Sequence, residues 1–327
     1  ARALLIDHLA NPARSGPPGS LERAEGENLL SQAAFADGDA ARAEELARRS
    51  LEVRRRILGE VHPQVAKSLN NLVVIRRSRG DLDGARAELE HILEIRRRIY
   101  GESHGAVAQS LHNLAVIHSQ QRDFERMEER LREAERILLA IYTSDHISLA
   151  DIYFTRARGA ERRKRGAEAA IWHRRALDIR RRHLDPEHPS IAVGLVGLAN
   201  GLRNDDPAAA EVNYREALAL QRARPDLHGA RIAPTLERLG ELRCRVDPED
   251  GLELLREALV IRRETTGKEP WYVALSEARL GRCLARLDRA AGLAVLRPAH
   301  GVLEARLGAD DVITRRAAEW LVEASNP

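Results

Sequence analysis

At 327 residues, 43% hydrophobic but only 3% aromatic, the chain is long enough for two ordinary domains yet poor in the residues that usually fill a compact core. Ala, Leu and Arg take their place, which favours closely packed helices over a β-rich fold, and no stretch approaches the roughly 18 apolar residues of a membrane span. The net charge is only +3, a weak global field for nucleic acid, even though all the basic residues except Lys67, Lys164 and Lys268 are Arg, a bias that points to a bacterial, GC-rich coding sequence.

Residues 1–10 carry a short apolar pattern and residues 11–20 are rich in Pro, Gly and Ser, so 1–19 reads as a linker after an upstream segment. The chain begins at Ala1 and its one Met is Met127, which suggests a piece of a longer or processed protein. Two cysteines, Cys244 and Cys283, make neither a disulfide framework nor a metal set. They are expected as free structural thiols in a reducing cytoplasm.

From residue 20 the sequence repeats. His62, His104, His146 and His188 are evenly spaced by 42. One column reads Ala24, Ala66, Ala108, Ala150, Ala192, Ala233 and Ala274, and six residues on stand Leu30, Leu72, Leu114, Arg156, Leu198, Leu239, Leu280 and Leu321. The column after it is mostly small: Ser31, Val73, Ala115, Ala157, Ala199, Gly240 and Gly281. Seven units follow, starting near 20, 62, 104, 146, 188, 228 and 269, together spanning 20–310.

Each unit predicts two helices. In the second, the spacing of Val65, Leu69, Leu72 and Val73 predicts a helix over 63–79, interrupted by Gly80-Asp81. Asp is a good N-cap and recurs at Asp39, Asp81, Asp123, Asp206, Asp247 and Asp288. The second helix should end near Tyr100, with Gly101 in the left-handed C′ conformation, and Gly59, Gly267 and Gly308 should serve likewise. In units five to seven the turn between helices is one residue shorter. Residues 311–327 form a final helix in which Arg315 replaces the Ala column, as a capping helix with no following unit requires.

The fourth unit departs from the pattern. Arg156 occupies the Leu column, Arg165 the capping Asp, and with Arg158, Arg162, Arg163 and Lys164 they form a basic patch. Either a function has displaced two structural columns, or the repeat has eroded and Arg156 reaches out to water.

These features leave little room for other chemistry. Equivalent histidines in stacked layers lie about 8–10 Å apart, too far to share a metal ion. His62-Pro63 and His188-Pro189 fit the turn before a helix, with Pro at N1. No nucleophile, phosphate-loop or metalloprotease pattern is present, so no catalytic residue, metal or cofactor is assigned. The runs Arg54-Arg55-Arg56, Arg96-Arg97-Arg98 and Arg180-Arg181-Arg182 close acidic-to-basic helices and are expected on a solvated face.

The stretches Leu58-Gly59-Glu60-Val61-His62-Pro63 and Leu69-Asn70-Asn71-Leu72, with Gly80, Ala85 and the Ala134/Ala176/Ala217/Ala258 column, resemble the tetratricopeptide repeat in its long, kinesin-light-chain-like form. The resemblance implies an all-α, right-handed α-solenoid of seven repeats plus a C-terminal capping helix. It also implies a groove lined by the first helix of each pair. The groove positions include Asn28, Asn70, Arg77, His112, Phe154, Arg158, Asn200, Arg203 and Arg282. The Asn residues would bind peptide backbone, the Arg residues acidic side chains, and Phe154 an apolar anchor. The resemblance implies a non-catalytic scaffold or sensor in a bacterial signalling protein, bound to a protein or acidic peptide. Nucleic-acid binding through the fourth unit, or regulation of a fused kinase or nucleotide-switch ATPase, is the alternative.

Overall fold

The computed structural model describes residues 16–265 and 269–325, and its described residues are helical with no strand. They divide into two compact units at Gly159 and Ala160. The first holds α1 (Leu21–Ala36), α2 (Ala40–Leu58), α3 (Pro63–Ser78), α4 (Leu82–Tyr100), α5 (Gly105–Gln120) and α6 (Phe124–Ile141), and most of α7 (Ile147–Arg162). The second holds α8 (Gly166–His183), α9 (Pro189–Leu202), α10 (Pro207–Ala223), α11 (Pro225–Arg243) and α12 (Pro248–Thr265). It closes with α13 (Pro270–Leu284), α14 (Arg289–Leu307) and α15 (Val312–Ser325). The chain is an all-α repeat solenoid. The expected linker lies mostly outside the described residues, as does Gly267.

Local chemistry sets the helix starts. The six capping Asp side chains each accept the N–H three residues on, such as Gly84 N–H to Asp81 at 2.9 Å. The His column caps the first helices: Nδ1 of His62, His104, His146 and His188 accepts the N–H two residues on at 3.1–3.3 Å. Arg165 makes no such cap.

The turn between paired helices comes in two forms. In the first four repeats the N–H of the capping residue reaches the carbonyl five residues back, and the residue before it has positive φ: Gly38, Gly80, Arg122 and Lys164. In the last three the reach is four residues, as in Asp206 N–H to Leu202 O, and no positive φ is needed. The missing residue is therefore the left-handed one. Gly59, Gly101 and Gly308 do have positive φ, but with ψ near 160–175°, so they occupy the region open essentially to glycine alone rather than the left-handed helical conformation expected.

The small columns are where helices touch. All seven Ala-column residues are buried, as is the small column beside the Leu column. A Cβ on Gly281 would meet the Gly292 carbonyl oxygen at 3.0 Å, so α13 and α14 cross at backbone contact. First helices also touch the next first helix: α1 with α3, and α9, α11, α13 and α15 in sequence.

The arginine runs are only in part a solvated face, because the first arginine of each turns inward. Arg54 is fully buried and donates to Ser68 Oγ at 2.7 Å and Gln64 O at 3.2 Å, tying α2 to α3. Arg96 does the same to Ser110 Oγ at 2.8 Å and Ala106 O at 2.9 Å, and Arg180 reaches Ser190 O. In the layer between them, Leu138 and Ile152 fill the same two positions as a buried apolar pair. The second arginine of each run pairs outward along the second helices, Arg97 to Glu133 at 2.6 Å and Arg181 to Glu216 at 2.5 Å. The third arginine of each run is exposed, and so is Arg181.

Candidate binding face

The first helices of the N-terminal unit present the expected positions, but several are engaged by their neighbours. Asn28 is fully buried, and its Oδ1 accepts from Asn71 Nδ2 at 2.7 Å while Gln32 donates to Asn71. It fastens α1 to α3 and offers no acceptor to a peptide, a correction to its expected role. His112 shares a 2.9 Å hydrogen bond with Thr155 Oγ1 between α5 and α7, and burial lowers its imidazole against the pull of Asp151. Phe154 is half-buried and Arg158 exposed.

On α3 the outcome is different. Asn70, Val74 and Arg77 recur at helical spacing on one face and all are exposed. Neither Asn70 nor Arg77 has a side-chain hydrogen-bond or ion-pair partner among the described residues. Asn70 borders a cavity of about 290 Å³ shared with Lys67, Ile95, Ile99 and Tyr100.

The basic patch of the fourth repeat is mostly occupied. Arg156 is 5% exposed and holds Glu135 at 2.7 Å and Glu128 at 3.2 Å, both on α6. It neither reaches to water nor forms part of an open surface. Its place in the Leu column is explained by the two carboxylates opposite. Arg163 and Arg165 converge on Glu168 at 3.1 and 3.4 Å. Arg162 is half-exposed, and Lys164 is exposed with positive φ.

In the C-terminal unit, Asn200 accepts from Tyr214 Oη at 2.6 Å, and burial pushes that phenol up to about 12. Arg282 pairs with Glu323 at 2.9 Å and lies over the Trp320 ring. Arg203 stands 3.9 Å from Glu241. Glu237 and Glu241 fall at groove positions in the sequence, but the arginines that hold them were missed: Arg279 grips them at 2.5 and 3.0 Å, and Arg262 also grips Glu237 at 3.1 Å. Burial alone would raise the Glu241 carboxyl, but Arg279, Arg238, Arg203 and Arg316 outweigh it and hold it low. The 41-residue spacing of Arg238 and Arg279 was the available signal.

The expectation of free thiols is overturned. Cys244, at the C-cap of α11, and Cys283, near the end of α13, form a disulfide with Cα atoms 5.6 Å apart. Their separation of 39 is not the repeat length, so the columns placed them apart. The facing ends of two neighbouring first helices bring them together, and the cysteine argument for a reducing compartment loses its premise.

Comparison with known proteins agrees with this geometry. Tetratricopeptide repeat profiles match residues 22–87 and 68–140, and again 149–190. The chain is a tetratricopeptide-repeat protein with kinesin-light-chain-like repeats. Among solved structures it is similar to BtubC (BKLC) from P. vanneervenii, at 23% identity and TM-score 0.52, over 69% of this chain and 91% of that one. It is similar to a Pyrococcus horikoshii signal transduction ATPase (STAND) protein with a tetratricopeptide repeat sensor, at 12% identity and TM-score 0.64. That match spans 99% of this chain and 49% of the other. Aspartyl phosphate phosphatase F from Bacillus subtilis aligns over 94% of this chain and 80% of its own, at 14% identity and TM-score 0.56. At these identities the likenesses establish the fold. No curated protein matches the sequence.

Tetratricopeptide repeats generally serve protein–protein interaction and are generally non-catalytic. In this tetratricopeptide-repeat chain several polar side chains on the first helices bind one another, as Asn28 does Asn71 and His112 does Thr155. No described helix is long and apolar enough to cross a membrane.

Proposed function

We propose that the chain is a non-catalytic peptide- or protein-binding module that reads an acidic segment with an apolar anchor on the first-helix face. The α3 stripe carries this reading. Asn70, beside the 290 Å³ cavity, offers donor and acceptor to a peptide backbone, and further along the same face Val74 offers an apolar contact and Arg77 an unpaired guanidinium. The nearby Asn28, Gln32, Lys67 and Asn71 are paired within the protein, so these are the groups that α3 leaves for a partner.

The module would serve as the sensor or scaffold part of a larger bacterial signalling protein. The STAND relative supports this, because this chain spans about half of a protein whose repeats are named as its sensor. The test is a labelled panel of acidic and basic peptides. The pair Asn70→Ala plus Arg77→Glu is expected to weaken an acidic binder by at least about tenfold. Arg98→Gln, on the solvent side of α4, should leave it unchanged. Equal losses from both, with a steep salt dependence, would instead favour nucleic-acid binding.

A further inference from the structure

The ends of α11 and α13 carry a second, unassigned feature. The turns that follow them read Arg245-Val246 and Arg286-Leu287, one repeat apart. Between these helix ends lies a cavity of about 30 Å³ lined in part by Cys244 and Cys283 of the disulfide. Its walls include Arg245, Arg279, Arg282 and Arg286, with Glu241 as the one carboxylate.

The charges there do not cancel. Glu241 is already bound by Arg279 at 3.0 Å, with Arg203 and Arg238 at 3.9 Å. Arg282 is spent on Glu323. Arg245 is exposed, with no side-chain partner among the described residues. Arg286 uses one N–H on the Cys244 carbonyl at 2.9 Å, which leaves the rest of its donor fork unassigned. Two exposed guanidiniums with donors to spare therefore line a cationic cavity.

Size narrows the ligand. At about 10–15 Å³ for each water-sized centre, the cavity holds about two such groups, matching the two oxygens of a carboxylate. The flanks are apolar: Val246 is 74% exposed and Leu287 50%. We propose that this pocket is a carboxylate subsite that takes an Asp or Glu side chain of a partner segment, with Val246 and Leu287 receiving the apolar residues beside it. The subsite rests on the peptide-binding reading and adds a separate anchor in the C-terminal unit. The disulfide holds the two arginine-bearing turns at a fixed spacing, and bidentate arginine recognition depends on such spacing.

The probe is a short, amidated, fluorescently labelled peptide of alternating Glu and Leu, read by polarisation. Amidation removes the terminal carboxylate as a source of binding. Arg245→Gln and Arg286→Gln are each expected to weaken it by about tenfold or more, while Arg256→Gln, exposed on α12, should not. The same peptide with Gln for Glu should bind at least about tenfold more weakly to the wild type. Inorganic phosphate should compete only at general salt concentrations. Stoichiometric competition by phosphate, or equal binding of the Gln peptide, would overturn a carboxylate site. If the two pocket variants bind like wild type while the Asn70/Arg77 pair loses binding, the subsite is wrong and the module reading stands. If no peptide binds the wild type, both fall.

Discussion

Two histidines of the N-terminal unit, His118 buried and His112 half-buried, act as proton-sensitive groups. His118 is 2% exposed, and burial lowers its imidazole, with Arg130, Arg86 and Arg126 adding to the effect and Asp123 opposing it. Burial likewise lowers His112. A folded-state value below the unfolded value of about 6.5 means the unfolded chain binds more protons in that window, so stability rises with pH there and is lost as pH falls through it. Denaturant midpoints should therefore drop between about pH 7 and 5. In His118→Asn the drop should be smaller, and an unchanged slope would remove His118 from the account. Asn28 teaches a related lesson at this scale. Asn at a groove position reads as a peptide ligand, yet the neighbouring Asn71 is close enough to claim it.

At the scale of elements, the arginine staple explains how one layer holds the next. Arg96 reaches from α4 into the first turns of α5, and desolvation lowers its guanidinium, so its hydrogen bonds to Ser110 and Ala106 must offset that burial. The fold contains its own apolar substitute in Leu138 and Ile152. Arg96→Leu alone should cost about 1–3 kcal/mol, because it removes the donor to Ser110 Oγ and Ala106 O and leaves only the hydrogen bond between those two groups. Adding Ser110→Ile should recover part of the loss. A double-mutant cycle measures the coupling, and additivity within about 0.5 kcal/mol would show that the two positions do not act as a unit. The Arg runs were legible as helix-ending cations, but not as staples. Their partners lie 10 to 14 residues away, across a turn, and only the stacked layer defines them.

At the scale of the whole molecule, α15 covers the apolar face of the seventh repeat. α15 packs on α14 and α13, burying Trp320 and Ala317 against Ala274, Ala278, Leu296 and Leu303, while Arg315 faces water. Deleting residues 311–327 should expose that apolar cluster, lower the denaturation midpoint and drive self-association, which size-exclusion chromatography would register. A truncated chain that stays monomeric and equally stable would show that α15 does not cap the array.

The sequence by itself determined the helices, their caps and their pairing into repeats. A cap acts within three residues and a small-residue column recurs with the stride, so both can be read along the chain; Asp81, His62 and Ala192 behave as their columns require. It also held the shortened turn of the last three repeats, because a missing residue shifts every later column. Only the tertiary structure decided which polar residues remain available. Asn28, Arg156 and Asn200 are taken by Asn71, Glu128 and Glu135, and Tyr214, partners 14 to 43 residues distant that meet them across packed helices. The Cys244–Cys283 bond has the same origin. Side-chain availability depends on what the neighbouring layer presents, and residue spacing along one chain does not carry that information.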